Sequence, residues 1–194
     1  MPKRPPPPPS LKPLPCVILA VDPGESCGVS IWQHGQYVSS GVCDGYLQTE
    51  MFVWLNRAER VAARLSLPIV LVRELPPMGG RGYRRGGSVQ RSRNLYGAAS
   101  VLGSRKVWQK VWEASEYTVS GKRVDVLPQT WRRFVLGTVG GPLLERVELD
   151  YATRVIGRAP ATRDEAAAVG IGRWACHAGE VVAKLPKPRK RKAA

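Results

Sequence analysis

The feature that most constrains the fold is an apolar run that ends on a carboxylate and a tight turn. Residues 17–21, Val-Ile-Leu-Ala-Val, are typical of a strand buried on both faces. Asp22 ends the run, Pro23-Gly24 predicts a turn, and residues 28–32 predict a second strand beside the first. A carboxylate at the end of a buried strand is costly unless another group pairs with it. For Asp22 alone, a hydrogen-bonded turn and a functional site are equally good explanations.

A second apolar run ends in the same way. Residues 69–72, Ile-Val-Leu-Val, are followed by Arg73 and Glu74, and two prolines come after Leu75. Two buried strands that each deliver an acid at their end are harder to explain by local turn chemistry than one. This pattern favours a functional site that contains Asp22 and Glu74.

A third informative segment lies at residues 162–178. Thr162-x-x-Glu165 matches a capping box, so we predict that a helix begins here with Asp164 in its first turn. Two interpretations of the acids stay open. Either Asp164 and Glu165 serve the helix N-terminus, or close packing on a sheet brings Asp164, and with it Glu165, to the strand-end acids. Small side chains would allow that close packing: Ala166, Ala167, Ala168, Gly170 and Gly172.

The remaining segments complete an α/β pattern. Asp125 alternates with apolar neighbours in a short strand and is left out of the site, and Glu145, Glu148 and Asp150 read as the solvated face of a helix. We predict strands over residues 36–43 and 122–127, and helices over residues 48–65, 94–115, 128–137 and 143–157.

Charge divides the chain into three parts. The formal net charge is +15, and both ends carry Lys and Arg without any acid. We predict a disordered proline-rich arm over residues 1–15, one folded domain over residues 16–183, and a disordered basic tail over residues 184–194. This distribution favours a nucleic-acid partner over a membrane surface, because no long amphipathic basic helix accompanies the charge.

The long segment 76–93 is rich in glycine and arginine and predicts a loop that contacts DNA or RNA; a solvated flexible loop is the alternative. Arginine grips phosphates and tyrosine stacks on bases. Lys106 and Lys110 share one face of the following helix, which is either solvated or lies along a phosphate backbone. The candidate DNA-binding residues are Arg81, Tyr83, Arg84, Arg85, Arg91, Arg93, Lys106 and Lys110.

The sequence offers few residues for zinc binding, histidine catalysis or membrane insertion. The four cysteines are scattered and the chain has two histidines, so we expect reduced thiols and neither a zinc site nor histidine catalysis. The N-terminus lacks the apolar stretch of a signal peptide, and no apolar run reaches membrane-spanning length. We therefore expect a cytoplasmic protein without a membrane partner.

Clustered acids beside arginines suggest phosphodiester hydrolysis with two Mg²⁺ ions. Mg²⁺ prefers oxygen ligands and keeps several waters, so three or four acids suffice. Without a cation the clustered acids repel one another, and the pKa of one of them rises.

The hairpin VILAVDPGESCGVSIW resembles the first hairpin of RuvC-like Holliday junction resolvases, which belong to the RNase H-like nucleases. The order of strand-end Glu74, DNA-contacting loop, long helix and alanine-rich last helix is similar too, as is VLPQTWRRFVLG before the last helices. The resemblance covers about residues 16–183. It implies a mixed central sheet, three antiparallel strands followed by parallel strands, flanked by helices.

The resemblance also implies a homodimeric endonuclease of bacterial or phage type, located in the bacterial or phage-infected host cell, that cuts a four-way DNA junction symmetrically and has no small-molecule substrate. Asp22, Glu74 and Asp164 would be catalytic metal ligands for two Mg²⁺ ions, with Mn²⁺ as a substitute, and Glu165 would be the fourth. The family usually places two acids three residues apart on the last helix, whereas here they are adjacent. This leaves open which of the two is the main ligand.

Two rival interpretations remain. The chain could be a non-catalytic RNase H-like protein that binds junctions or other DNA, with structural acids. It could also be an RNase H-like nuclease that acts on flaps or RNA–DNA hybrids. An actin-like kinase or ATPase shares the hairpin opening, but the chain is too short for the two domains which that fold needs.

Overall fold

The computed structural model describes residues 14–75, 88–115, 122–138 and 140–178, with side chains in the second range described from residue 99. The predicted arm and tail therefore lie outside the described residues, except that Leu14 is already buried against the core. No helix in these ranges is long and apolar enough to cross a membrane.

A five-stranded mixed sheet forms the centre of the fold, in the order β3-β2-β1-β4-β5. β1, β2 and β3 form an antiparallel meander, and β4 and β5 run parallel to β1. This confirms the mixed α/β sheet that the resemblance to RNase H-like proteins implied. The strands are β1 Val17–Asp22, β2 Ser26–Gln33, β3 Gln36–Asp44, β4 Ile69–Glu74 and β5 Lys122–Val126.

Within the described ranges, five helices cover the two faces of the sheet. α1 and α2 pack on one face, and α3, α4 and α5 lie on the other. Because α2 begins at Ser88 and not near Asn94, Arg91 and Arg93 belong to a helix and the predicted loop was too long. The helices are α1 Gln48–Leu65, α2 Ser88–Glu113, α3 Pro128–Leu136, α4 Leu144–Ile156 and α5 Arg163–Ala175.

Side-chain alternation along β1 divides the core into two layers. Val17, Leu19 and Val21 pack toward α1, whereas Ile18 and Ala20 pack toward α5. Because successive side chains point to opposite faces of a strand, Asp22 shares the α5 side of the sheet. The four cysteines are buried and form no disulfide bond.

α5 lies directly on β1 and β2, and its small residues make this possible. A side chain at Gly172 would collide with the indole of Trp32, and one at Gly170 would collide with Trp131 of α3. The Ser30 hydroxyl donates a 2.7 Å hydrogen bond to the carbonyl oxygen of Ala168. The predicted close packing of the last helix on the sheet is confirmed.

Candidate active site

Two parallel strands place Asp22 and Glu74 at the same edge of the sheet. In the register of β1 with β4, Val21 lies opposite Arg73, so the next residue of each strand is an acid. Parallel neighbours end at the same edge. The two strand-end acids predicted from sequence therefore stand side by side.

Asp164 reaches this edge from α5 because β2 has a glycine where the helix begins. Gly28 is the antiparallel partner of Asp22. A Cβ atom at Gly28 would lie 1.9 Å from the carbonyl oxygen of Asp164, so no side chain fits between helix and strand. Ser26 at the start of β2 also acts on the Asp164 carboxylate and favours its charged form. The structure thus brings Asp164 to the side of Asp22.

The three acids are in an unfavourable electrostatic environment. Burial raises the pKa of Asp22 well above its usual value, and repulsion by Glu74 and Asp164 raises it further. Burial also raises the pKa of Glu74, against the opposing effects of Arg132 and a hydrogen bond from Trp131. Burial raises the pKa of Asp164, with Ser26 and Arg163 opposing. Burial is the largest cause for all three acids, so their charged forms are costly without a partner.

Trp131 fixes the position of Glu74. The indole Nε1 donates a hydrogen bond of 2.5 Å to Glu74 Oε2, and Trp131 itself is fully buried against Gly170. A half-buried carboxylate with one oxygen bound in this way has its other oxygen available for a ligand. Sequence reasoning did not identify Trp131 as part of the site.

Glu148 corrects a sequence prediction. It was expected on the solvated face of α4, but it is 1% exposed. Its carboxylate accepts a 2.7 Å hydrogen bond from Nε of Arg132 and a 2.8 Å hydrogen bond from Nε of Arg163. A sequence signal was present, because Glu148 stands four residues after Leu144 and four before Ala152 on the apolar stripe of α4.

Glu165 is buried and bound elsewhere. Its carboxylate accepts hydrogen bonds from Arg158 Nη2 at 2.7 Å, from the Ser40 hydroxyl at 2.6 Å and from the backbone N–H of Ala161 at 2.6 Å. Its own N–H donates to Thr162 Oγ1. Burial alone would raise the pKa of Glu165, but these hydrogen bonds outweigh it and lower the pKa. The arrangement favours the capping interpretation, so Glu165 is left out of the ligand set proposed below.

Asp125 takes part in a separate ion-pair cluster. Nη2 of Arg73 and Nη2 of Arg105 each lie 3.0 Å from one of its carboxylate oxygens. The strand alternation in the sequence had already placed Asp125 outside the site.

The predicted DNA-binding residues are only partly described. Lys106 and Lys110 are exposed one turn apart on α2. Arg91 and Arg93 lie in the same helix, but their side chains are outside the described part. Arg81, Tyr83, Arg84 and Arg85 lie outside the described residues altogether.

The donor set fits a hydrated divalent cation better than a closed metal cage. Within the described ranges, no group of three or more His, Cys, Asp or Glu side chains is arranged to hold a metal ion, so the predicted set of three or four ligands is not preformed there. Mg²⁺ is usually bound by one or two carboxylates, several waters and a substrate phosphate. The neighbouring carboxylates of Asp22 and Glu74, whose charged forms are costly without a partner, provide oxygen ligands of that kind.

Comparison with known proteins gives only distant structural similarity. No family model matches the sequence, and no curated protein does. The chain is similar to a Thermus thermophilus RuvC in complex with a Holliday junction substrate, at 15% identity and a TM-score of 0.44, over 81% of this chain and 91% of that one. A second Thermus thermophilus RuvC structure gives 12% identity and a TM-score of 0.42 over the same shares. These values are too low to transfer a function, so the residues themselves must support one.

Proposed function

We propose that this chain is a metal-dependent endonuclease that hydrolyses phosphodiester bonds in branched DNA, with the four-way junction as its preferred substrate. The observation that carries the proposal is the placement of Asp22 and Glu74 on adjacent parallel strand ends, with Asp164 brought over Gly28 beside them. Three acids whose pKa values are all raised by burial are costly to the fold. Such a cost is typical of a functional site.

In this proposal Asp22 and Glu74 hold Mg²⁺, or Mn²⁺ in its place, and Asp164 completes the set, with two ions per active site. Bound there, such ions supply an activated water and stabilise the leaving oxygen. Trp131 orients the Glu74 carboxylate, and its hydrogen bond favours the ionised form that a cation requires. Partial burial of both strand ends limits competing water around the reacting phosphate.

The surface around α2 suits a DNA partner and a homodimer. Exposed Lys106 and Lys110, the arginines predicted to contact DNA and the net charge of +15 favour phosphate binding. Leu102 is 46% exposed on the same helix, which we propose as the dimer element. Two active sites related by a twofold axis would cut a junction symmetrically. One distantly similar RuvC is described with a Holliday junction substrate, which makes that substrate the first to test.

A second candidate is a non-catalytic DNA-binding protein of the same fold. One observation favours it: within the described residues no three acidic, histidine or cysteine side chains form a ready metal site. Such a protein would bind the junction tightly and leave it intact with every divalent metal.

The test is a panel of labelled substrates with matched sequence: four-way junction, linear duplex, flap and RNA–DNA hybrid, each with Mg²⁺, with Mn²⁺ and with EDTA. The proposal predicts metal-dependent, paired nicks in the junction at a higher rate than in any other substrate. Equal cutting of all four would contradict junction selectivity, and preferred cutting of the flap or the hybrid would identify another RNase H-like nuclease. Binding without cutting would favour the second candidate.

A further inference from the structure

One buried carboxylate holds two guanidinium groups next to the candidate active site. Glu148 of α4 lies between Arg132 of α3 and Arg163 of α5, and its side chain is 0% exposed. Each arginine uses Nε for this contact, at 2.7 Å and 2.8 Å. The three groups together carry one net positive charge.

This geometry leaves the outer nitrogens of Arg132 free. A guanidinium has five N–H donors, and the contact with Glu148 uses the one on Nε. Among the described residues, no acceptor binds the Nη groups of Arg132, whose side chain is 19% exposed. Arg163 is 44% exposed, and its Nη1 has a carboxylate of Glu145 at 3.8 Å, outside hydrogen-bond distance. Both arginines therefore present unused donors to solvent.

The free donors belong to the same electrostatic neighbourhood as the acids. The positive charge of Arg132 acts on both Asp22 and Glu74, and Arg163 interacts with both as well. Arg132 also stacks on the ring of Trp131, 5.1 Å from its centroid, and Trp131 is bound to Glu74. The cluster is thus connected to the strand-end acids through one side chain.

We infer that Arg132 and Arg163, both anchored on Glu148, form a phosphate-binding site for a DNA phosphodiester beside Asp22 and Glu74. The inference rests on the proposed function for its ligand. Arginine pairs with phosphate through two parallel N–H donors, and a guanidinium already held by Nε loses little freedom on binding. Glu148 is a positioning residue in this account, because both of its oxygens are occupied by the arginines.

A purely structural role is the alternative, since the cluster also joins α3, α4 and α5. The two roles differ in what happens to DNA affinity when Glu148 is neutralised. Glu148→Gln makes the protein more positive, so charge alone predicts equal or tighter binding of DNA. The phosphate site predicts weaker binding, because the arginines lose the group that orients them.

The experiment measures binding of a labelled four-way junction over a salt series in EDTA, with Asp22→Asn as the common background so that cleavage plays no part. Arg132→Gln is expected to weaken binding about tenfold, as loss of a charge-assisted hydrogen bond would. The slope of log K against the logarithm of the salt concentration should become shallower by about 1. Arg132→Lys should bind like Arg132→Gln, because one ammonium group cannot replace the two parallel N–H donors of a guanidinium. Glu148→Gln should also bind more weakly.

The chain offers matched controls for both changes. Arg133→Gln removes an exposed charge from the same helix as Arg132, and Asp150→Asn removes an exposed carboxylate from the same helix as Glu148. Neither should weaken binding by more than about twofold. Thermal unfolding of every variant identifies any that has lost the fold, and Arg132→Lys keeps the charge for the case in which Glu148→Gln unfolds.

Folded Arg132→Gln and Arg132→Lys chains with unchanged affinity and slope would overturn the inference. If the Asp22→Asn chain without further changes binds no DNA of any form, the proposed function fails instead. Inorganic phosphate then tests the site alone through the side-chain Nε–H signals of Arg132 and Arg163 in ¹⁵N NMR spectra. Changes in these signals on addition of phosphate that are absent from Arg132→Gln would support an anion site. Signals that do not move when phosphate is added would overturn the inference.

Discussion

The backbone of Asp164 lies so close to Gly28 that a Cβ atom at residue 28 would be 1.9 Å from the Asp164 carbonyl oxygen. Gly28 is also the strand partner of Asp22. The absence of one side chain on β2 therefore sets the distance between an acid on α5 and an acid on β1.

Gly28→Ala tests this dependence. The added methyl meets backbone atoms that cannot rotate away, so α5 must move, and we expect a loss of about 1–3 kcal/mol in the free energy of unfolding together with loss of junction cleavage. Gly140→Ala is the control, because nothing lies within 4 Å of a Cβ atom there. Its stability should stay within about 1 kcal/mol of the native value. Full activity of Gly28→Ala would show that the position of Asp164 does not matter.

Asp22→Asn should stabilise the protein in EDTA at neutral pH. The folded-state pKa of Asp22 is raised, so folding is more favourable with the group protonated, and ionisation at higher pH costs stability. Asparagine removes that cost, so we expect the free energy of unfolding to increase by about 0.5–2 kcal/mol. Each kcal/mol should raise the Tm by roughly 2–4 °C.

Asp150→Asn is the control for this stability gain, because its carboxylate is 67% exposed, and it should leave the Tm nearly unchanged. Mg²⁺ should raise the Tm of the native chain more than that of Asp22→Asn, since a ligand of the folded state stabilises it. A lower Tm for Asp22→Asn, with no response of the native chain to Mg²⁺, would count against a cation site.

Glu165→Gln and Asp164→Asn form a matched pair on α5. Because the Glu165 carboxylate is bound by Arg158, Ser40 and the Ala161 N–H, its loss should lower stability by about 0.5–2 kcal/mol and leave cleavage within a few-fold. Asp164→Asn should abolish cleavage with little loss of stability. Thermal unfolding and cleavage rates of both variants check this, and the opposite pattern would make Glu165 the main ligand of the last helix.

Trp131→Phe should move the pH dependence of cleavage. The indole hydrogen bond lowers the pKa of Glu74, so its removal raises that pKa, and activity that needs ionised Glu74 is then lost at a higher pH. We expect the acid limb of the rate profile to shift upward while the rate at high pH recovers. Trp174→Phe, in the same core layer, should cost stability without moving the limb. If the acid limb of the pH–rate profile does not move in Trp131→Phe, cleavage does not require ionised Glu74.

The sequence predicted the parts of the candidate site that local patterns determine. An apolar run with an acid at its end and a proline one or two residues later was enough to identify Asp22 and Glu74 as candidates. The predicted bounds of α1 match the structure. The start of α2 was placed near Asn94 and not at Ser88, because the residues before it are rich in glycine and arginine and resemble a loop.

Other parts depended on contacts between distant segments. Whether an acid on α4 faces solvent depends on what packs against it, and Glu148 is buried by arginines that come from α3 and α5. Trp131 belongs to the candidate site through its contact with Glu74, which is 57 residues away in the chain. For Glu165, the sequence left capping and metal binding open because both require the same residue type.

The most direct test of the central claim is cleavage of a labelled four-way junction by the native chain and by Asp22→Asn, with and without Mg²⁺. We predict paired, metal-dependent nicks with the native chain, and junction binding without nicks with Asp22→Asn. Cleavage by Asp22→Asn at the native rate, or tight binding by the native chain with no cleavage in any divalent metal, would contradict the account.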